Sequence, residues 1–411
     1  MAVARLMLAL ALISLPVHAQ NSWTGWLGPN RDGWVGDFKA PETWPKTLKK
    51  VWQVKVGIGY SSPLVSNGRI YTHTRQEDNE IVQCLDLKTH QVKWRKTKAT
   101  PFKVGGGGEY HGKGPKSCPV LSEGRLFTMS ITGILTAWDA KTGKQLWECD
   151  YGSRYKSRHK RWGASTSPIV AGRLVIAHFG TDFQGALVAL HVETGKVAWE
   201  QGKDGPSYSS PLVVEINDVK QVVDWNERAI AGVDLKSGKK LWEYLAKGDF
   251  RDQNMPTPVF HKGLILLGAE NRGIKGLAPH LEKGKWVVHR WWHQKKVALN
   301  MSTAVINDGL LYGFSHYDRG RFFCLEPRRG KVLWTGPPRT GQNVTFLSIP
   351  GAVMASIDTG ELRVFKASRT KYQELASYKV AVGATWAPPV LLKEGILIKD
   401  KVNLTLWSLT Q

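Results

Sequence analysis

The sequence predicts an all-β, eight-bladed propeller of four-stranded antiparallel blades, its ring closed by an N-terminal strand that joins the C-terminal blade. Three observations predict it. A turn-plus-tryptophan module recurs along the chain, a second signal opens each repeat, and the last repeat is one strand short while a spare strand stands near the start.

The module is clearest as Ala137-x-Asp139-x-x-Thr142-Gly143-Lys144-x-x-Trp147. A degraded copy, Cys84-x-Asp86-x-x-Thr89-His90-Gln91-x-x-Trp94, precedes it. Ala189-x-His191-x-x-Thr194-Gly195-Lys196-x-x-Trp199 and Gly232-x-Asp234-x-x-Ser237-Gly238-Lys239-x-x-Trp242 follow, then Cys324-x-Glu326-x-x-Arg329-Gly330-Lys331-x-x-Trp334. Successive tryptophans lie 53, 52, 43 and 92 residues apart. The last gap is about two repeats long, so one repeat is expected to have lost its tryptophan. Repeats of roughly 40 to 55 residues built from short strands indicate a propeller.

Each module reads as a hairpin. The apolar run before the aspartate is a buried strand. Asp and Thr hydrogen-bond the turn backbone, and Gly takes the positive φ that a bulged hairpin needs. Lys-x-x-Trp returns as the outer strand, its indole placed to pack between blades with its N–H on a partner. Asp86, Trp94, Asp139, Trp147, Trp199, Asp234, Trp242 and Trp334 are therefore structural.

The opening signal is a small or polar residue, usually followed by Pro, ahead of an apolar strand. It reads Ser62-Pro63, Cys118-Pro119, Ser167-Pro168, Ser210-Pro211 and Thr257-Pro258, then Thr303-Ala304 and Pro388-Pro389. A strand set beginning Thr345-Phe-Leu-Ser-Ile fills the remaining interval and makes eight units. In the fifth, Ala278-Pro-His280-Leu-Glu-Lys283-Gly284-Lys285 keeps a turn but puts Val288 where Trp is expected, with Trp291 and Trp292 just beyond. The last unit has three strands, and Lys50-Val51-Trp52-Gln53-Val54 is its missing fourth. Pairing them removes two exposed sheet edges.

Residues 1–19 read as a secretory signal peptide, with Arg5, an apolar run Leu6 to Leu15 and the exit Val17-His18-Ala19 before Gln20. No cysteine follows that run to carry a lipid, and nothing later is long and apolar enough to span a bilayer. The expected organisation is a signal peptide, an irregular strap over residues 20–49 packed on the ring, and one propeller over 50–411. The mature chain is expected to be soluble, and periplasmic or secreted. Cys84, Cys118, Cys149 and Cys324 show neither metal spacing nor a haem-attachment motif. Buried free thiols are the expectation, with one disulfide left open.

The formal charge is +23. Its densest run, Arg154-Tyr-Lys156-Ser-Arg158-His159-Lys160-Arg161-Trp162, reads either as a dock for an acidic surface or as a solvated loop. Export argues against nucleic acid as the partner.

The modules resemble the tryptophan-docking repeats of quinoprotein alcohol dehydrogenases, shared by the wider superfamily of PQQ-repeat propellers (PQQ, pyrroloquinoline quinone). The resemblance spans residues 50–411. It implies the fold and leaves two activities open, because the superfamily holds PQQ enzymes and also cofactor-free propellers such as the lipoprotein of the outer-membrane β-barrel assembly machinery. The chain departs from both: it has no adjacent cysteines, no large cofactor-capping insertion, no haem domain and no lipobox cysteine.

In such a ring the loops from outer to inner strands gather at one mouth of the central channel. The candidate ligand contacts there are His111, Lys113, Lys116, Trp162, Tyr208, Arg251, Asn254 and Trp386. Gly105-Gly-Gly-Gly108 is expected to let a ligand approach the backbone closely. The favoured reading is a non-catalytic module that binds an envelope protein, a glycan or another ligand. The alternative is a compact PQQ- and Ca²⁺-dependent dehydrogenase acting on an alcohol or sugar. For that chemistry the basic side chains would meet the quinone carboxylates, Asn254 and Asn300 would offer oxygen to Ca²⁺, and Glu109 or Asp252 would be the base. No nucleophile elbow or metal motif supports a hydrolase.

Overall fold

The computed structural model describes residues 22–155, 159–248 and 253–409. Within them are eight four-stranded antiparallel sheets, each a blade. Blade one is Leu64–Ser66, Arg69–Gln76, Asn79–Asp86 and Val92–Ala99, in that order from the channel outward. Blade eight is Val390–Leu392, Gly395–Lys399 and Asn403–Ser408, completed by Lys49–Lys55. The closing register runs from Lys49 opposite Ser408 to Lys55 opposite Asn403, with a bulge between Lys50 and Trp52.

The modules work as the sequence indicates. Asp139 Oδ1 accepts both the backbone N–H and the hydroxyl of Thr142, each at 2.7 Å. Asp234 holds Ser237 in the same way. The docking indoles of blades one to three each donate to a carbonyl on the turn of the following blade. Trp94 reaches Ala140 O at 3.1 Å, Trp147 reaches Val192 O at 3.0 Å and Trp199 reaches Leu235 O at 3.0 Å. The ring lies flat on the turn glycine. A Cβ on Gly195 would stand 2.7 Å from the Trp147 ring, and its φ is +69°. Glycine is needed there twice over, for the backbone angle and for the approach.

Blade five keeps its tryptophan, contrary to the expectation of a lost one. Its hairpin, Gly273–Glu282 and Lys285–Gln294, is the longest in the ring among the described residues. Trp292 faces Gly276 beside a bulge, the register that Trp94 has with Cys84. Its indole donates to Pro327 O at 2.8 Å and its ring covers Gly330. The residues added to the hairpin carried Trp292 beyond the eight-residue step. The same extension leaves blade five without a short docking turn. Trp242 accordingly donates to Gln221 Oε1 of its own blade, at 2.7 Å. On the closing strand, Trp52 takes the docking register opposite Leu406, and its ring meets His90 of blade one at 4.4 Å.

The opening signal also has a cause. Ser62 N–H donates to Cys118 Sγ, Cys118 N–H to Ser167 Oγ, and Ser167 N–H to Ser210 Oγ. Ser210 N–H donates to Thr257 Oγ1, and Thr257 N–H to Thr303 Oγ1. Small polar side chains ahead of the inner strands thus form a belt that steps from blade to blade. Proline is tolerated next in line because it starts an inner-edge strand, where a ladder donor is dispensable.

The segment from Trp23 to Val35 crosses the axial channel, packed against inner strands of the ring. Trp23 bridges Val65 and Trp34 bridges Ser348, both on innermost strands. Arg31, buried between them, donates to Pro168 O at 2.9 Å and Ser167 O at 3.2 Å. Burial lowers its pKa to about 10, still well above neutrality. The four cysteines are free thiols.

Candidate functional site

The mouth of the channel opens into a cavity of about 410 Å³. Every blade contributes to its wall at the start of its inner strand, and Trp26 and Leu27 of the crossing segment floor it. Two aromatic groups line it. On one side Tyr60, Tyr110, His111 and Trp386 form a cluster, with His111 4.9 Å from Trp386 and 3.9 Å from Tyr110 between ring centroids. On the other side Trp162 stacks on Tyr208 at 5.6 Å. Gln253, Asn300 and Asn343 add amides, Met255 and Met301 adaptable thioethers, and Glu270 a carboxylate.

The mouth is held together from behind. Lys116 donates to Trp162 O at 2.7 Å, joining the two loops that carry the aromatic groups. Burial lowers the Lys116 ammonium to about 8. Burial, with Lys116 nearby, holds the His111 imidazole down to about 4, so His111 is neutral near pH 7. The four-glycine stretch serves this packing. A Cβ on Gly105 would strike Arg161, and one on Gly108 would lie 2.5 Å from the Trp162 ring. At Gly105 and Gly108 the close approach is made by the neighbouring loop, while Gly107 lines the cavity.

Of the predicted contacts, His111, Lys116, Trp162, Tyr208 and Trp386 line the cavity, as does Asn300. Lys113 is exposed and outside its lining. Glu109 is also exposed, its carboxylate accepting Gly107 N–H at 2.9 Å. Asn254 is a wall residue: its Nδ2 donates to Asn226 O and Ala246 O, and its Oδ1 accepts from Arg272 at 2.6 Å. Satisfied on both sides, it has little to offer a ligand or a metal. Arg251 and Asp252 lie outside the described residues, as do residues 1–19, expected to be a signal peptide. Sequence reasoning did not single out Glu270, Met255 or Asn343 as contacts. Met255 and Asn343 flank the strand-opening positions Thr257 and Thr345, a placement that could have found them.

The basic run is partly neutralised from within. Lys160 is buried on Glu227, Asp182 Oδ1 at 3.4 Å and Pro206 O. Arg154 pairs with Glu200 at 3.3 Å. Lys156 and Arg158 lie outside the described residues.

A quinone bearing three carboxylates needs several cationic donors. Among the described residues Lys116 is the one Lys or Arg in the cavity lining, and it is already bonded to a carbonyl. Among the described residues no trio of His, Cys, Asp and Glu side chains converges in the mouth as metal ligands. The described residues of the lining supply neither that set of cations nor a metal trio.

A family model described as outer membrane protein assembly factor BamB matches residues 78–336, more than half of the sequence. The chain belongs to the PQQ-repeat family. Within that family it resembles proteins of both kinds. It is 23% identical over 308 residues to an outer membrane protein assembly factor BamB from Shewanella oneidensis, covering 72% of this chain and 74% of that protein. It is 30% identical over 453 residues to a polyvinylalcohol dehydrogenase from Sphingopyxis sp., covering 86% of this chain and 66% of the relative. The solved BamB structure from Moraxella catarrhalis superimposes with a TM-score of 0.63 at 12% identity, covering 88% of this chain and 98% of that one. That last likeness speaks for the fold alone.

Proposed function

We propose that this chain is a non-catalytic exported propeller that holds a segment of an envelope protein in its mouth. The observation that carries this reading is the pair of facing aromatic groups, Tyr60–Tyr110–His111–Trp386 and Trp162–Tyr208, around a cavity with a single ammonium among the described residues. Flat rings with polar edges bind side chains and backbone at low entropic cost, and methionines adapt to varied shapes. The likeness to BamB proteins supports a protein partner over a glycan. In this reading residues 1–19 direct export, the mature chain starts at Gln20 and works outside the cytoplasm. Residues 20–49 then form the crossing segment and 50–411 the ring. No helix among the described residues is long and apolar enough to cross a membrane.

The test is site-specific photo-crosslinking from Trp386 and Tyr208 in cells, with exposed Val92 on the outer rim as control, beside titration of the purified protein with PQQ and Ca²⁺. Discrete envelope-protein adducts from the mouth positions alone, with no saturable quinone binding, are expected. Saturable Ca²⁺-dependent quinone binding that is lost in a Trp162→Ala variant would overturn the proposal in favour of an alcohol or sugar dehydrogenase.

A further inference from the structure

The long hairpin of blade five carries a second constellation, remote in the fold from the mouth. His280, Glu282 and His289 place one ligand atom each within 4.8 Å of one another. The register explains why. His280 and Glu282 are two apart on one strand and share a face. His289 pairs with Ala278 on the returning strand, so it shares that face and sits diagonal to His280. The two imidazole centroids are 5.4 Å apart.

A second observation bears on the ligand. His280 Nδ1 lies 3.1 Å from Ala278 O. An N–H donated there fixes the ring and leaves the Nε2 lone pair outward, the arrangement that orients metal-bound histidines. Two imidazoles and a carboxylate are the donor set of a borderline divalent cation, with a fourth position left for water. A tetrahedral zinc would draw the three atoms to about 3.3 Å apart, a change that side-chain torsions at an exposed tip can supply.

We propose that this hairpin binds a divalent transition-metal ion, zinc foremost, through His280, Glu282 and His289. The ion fastens the free end of a ribbon whose contact with blade four includes the Leu281 N–H bond to Asn217 Oδ1, at 3.2 Å. Lys285 stands opposite Glu282 in the register and opposes the cation.

The test is calorimetric titration of the purified mature protein, made without a histidine tag, with zinc chloride, and optical titration with cobalt(II). One equivalent of zinc is expected, with the visible spectrum of a four-coordinate cobalt complex. His289→Ala should weaken zinc binding by about tenfold or more, His289→Gln should do the same should the alanine variant misfold, and Lys285→Ala should tighten it. His261→Ala, a histidine elsewhere on blade five, should leave it unchanged. The proposal is overturned if no saturable binding occurs, or if the His280→Ala/His289→Ala double variant binds zinc as the parent does.

Discussion

The rim and the mouth of this ring are built from the same repeats yet answer to different constraints. On the rim one solution is used again and again: an indole of one blade lies on the turn of the next and donates to its carbonyl. At the mouth the side chains differ from blade to blade, Tyr60 here, Lys116, Tyr208 or Asn343 there. Where every blade meets the same neighbour geometry, sequence repeats. Where eight loops face one cavity, each has a separate task.

That contrast can be broken at the rim most forcefully. Trp199→Ala removes a buried indole between blades three and four, and should cost about 3–5 kcal/mol, read from urea unfolding. Gly195→Val forces a β-branched residue to positive φ against the Trp147 ring, and should cost about 1–3 kcal/mol. An unchanged midpoint in both would mean that the blades are not held by these contacts. The belt is the next lever. Thr257→Val takes the acceptor from the buried Ser210 N–H, and should cost about 1–3 kcal/mol in the same assay.

The mouth should respond to pH more than to truncation. The unfolded chain takes up a proton at His111 near pH 6.5, whereas the folded protein does so only near 4. The unfolded state therefore binds more protons across that interval, and stability falls as pH drops from about 6.5 to about 4. His111→Asn should flatten that part of a plot of Tm against pH; an unaltered slope would remove His111 as its source. The smallest stability effect belongs to Trp386→Ala, expected within about 1 kcal/mol of the parent because it clears a partly open site. Its loss of crosslinked partner should nevertheless be large.

Much of the rim could be read in advance, including the closing strand. The exception teaches most. Trp292 holds the same register opposite Gly276 that Trp94 holds opposite Cys84, but a longer hairpin moved it along the chain. Spacing in sequence is only a proxy for register in a sheet, and it fails where a hairpin grows. The mouth was legible as a set of loops, and His111, Trp162, Tyr208 and Trp386 were found there. Asn254 was misread because sequence cannot tell a polar residue that serves a ligand from one that serves the backbone, here Asn226 O and Ala246 O. The path of Arg31 through the channel had no local signal, since its acceptors Ser167 and Pro168 are far away in sequence.

Blade eight draws its outer strand from the front of the chain and its other three from the back. During synthesis Lys49–Lys55 emerges long before Asn403–Ser408 and must wait for it. Until then the ring is an open crescent with a bare edge at each end. Contacts so distant in sequence form slowly, and unpaired edges invite other strands. The interval before closure is when this protein is most exposed to aggregation and to proteases, and most in need of a chaperone.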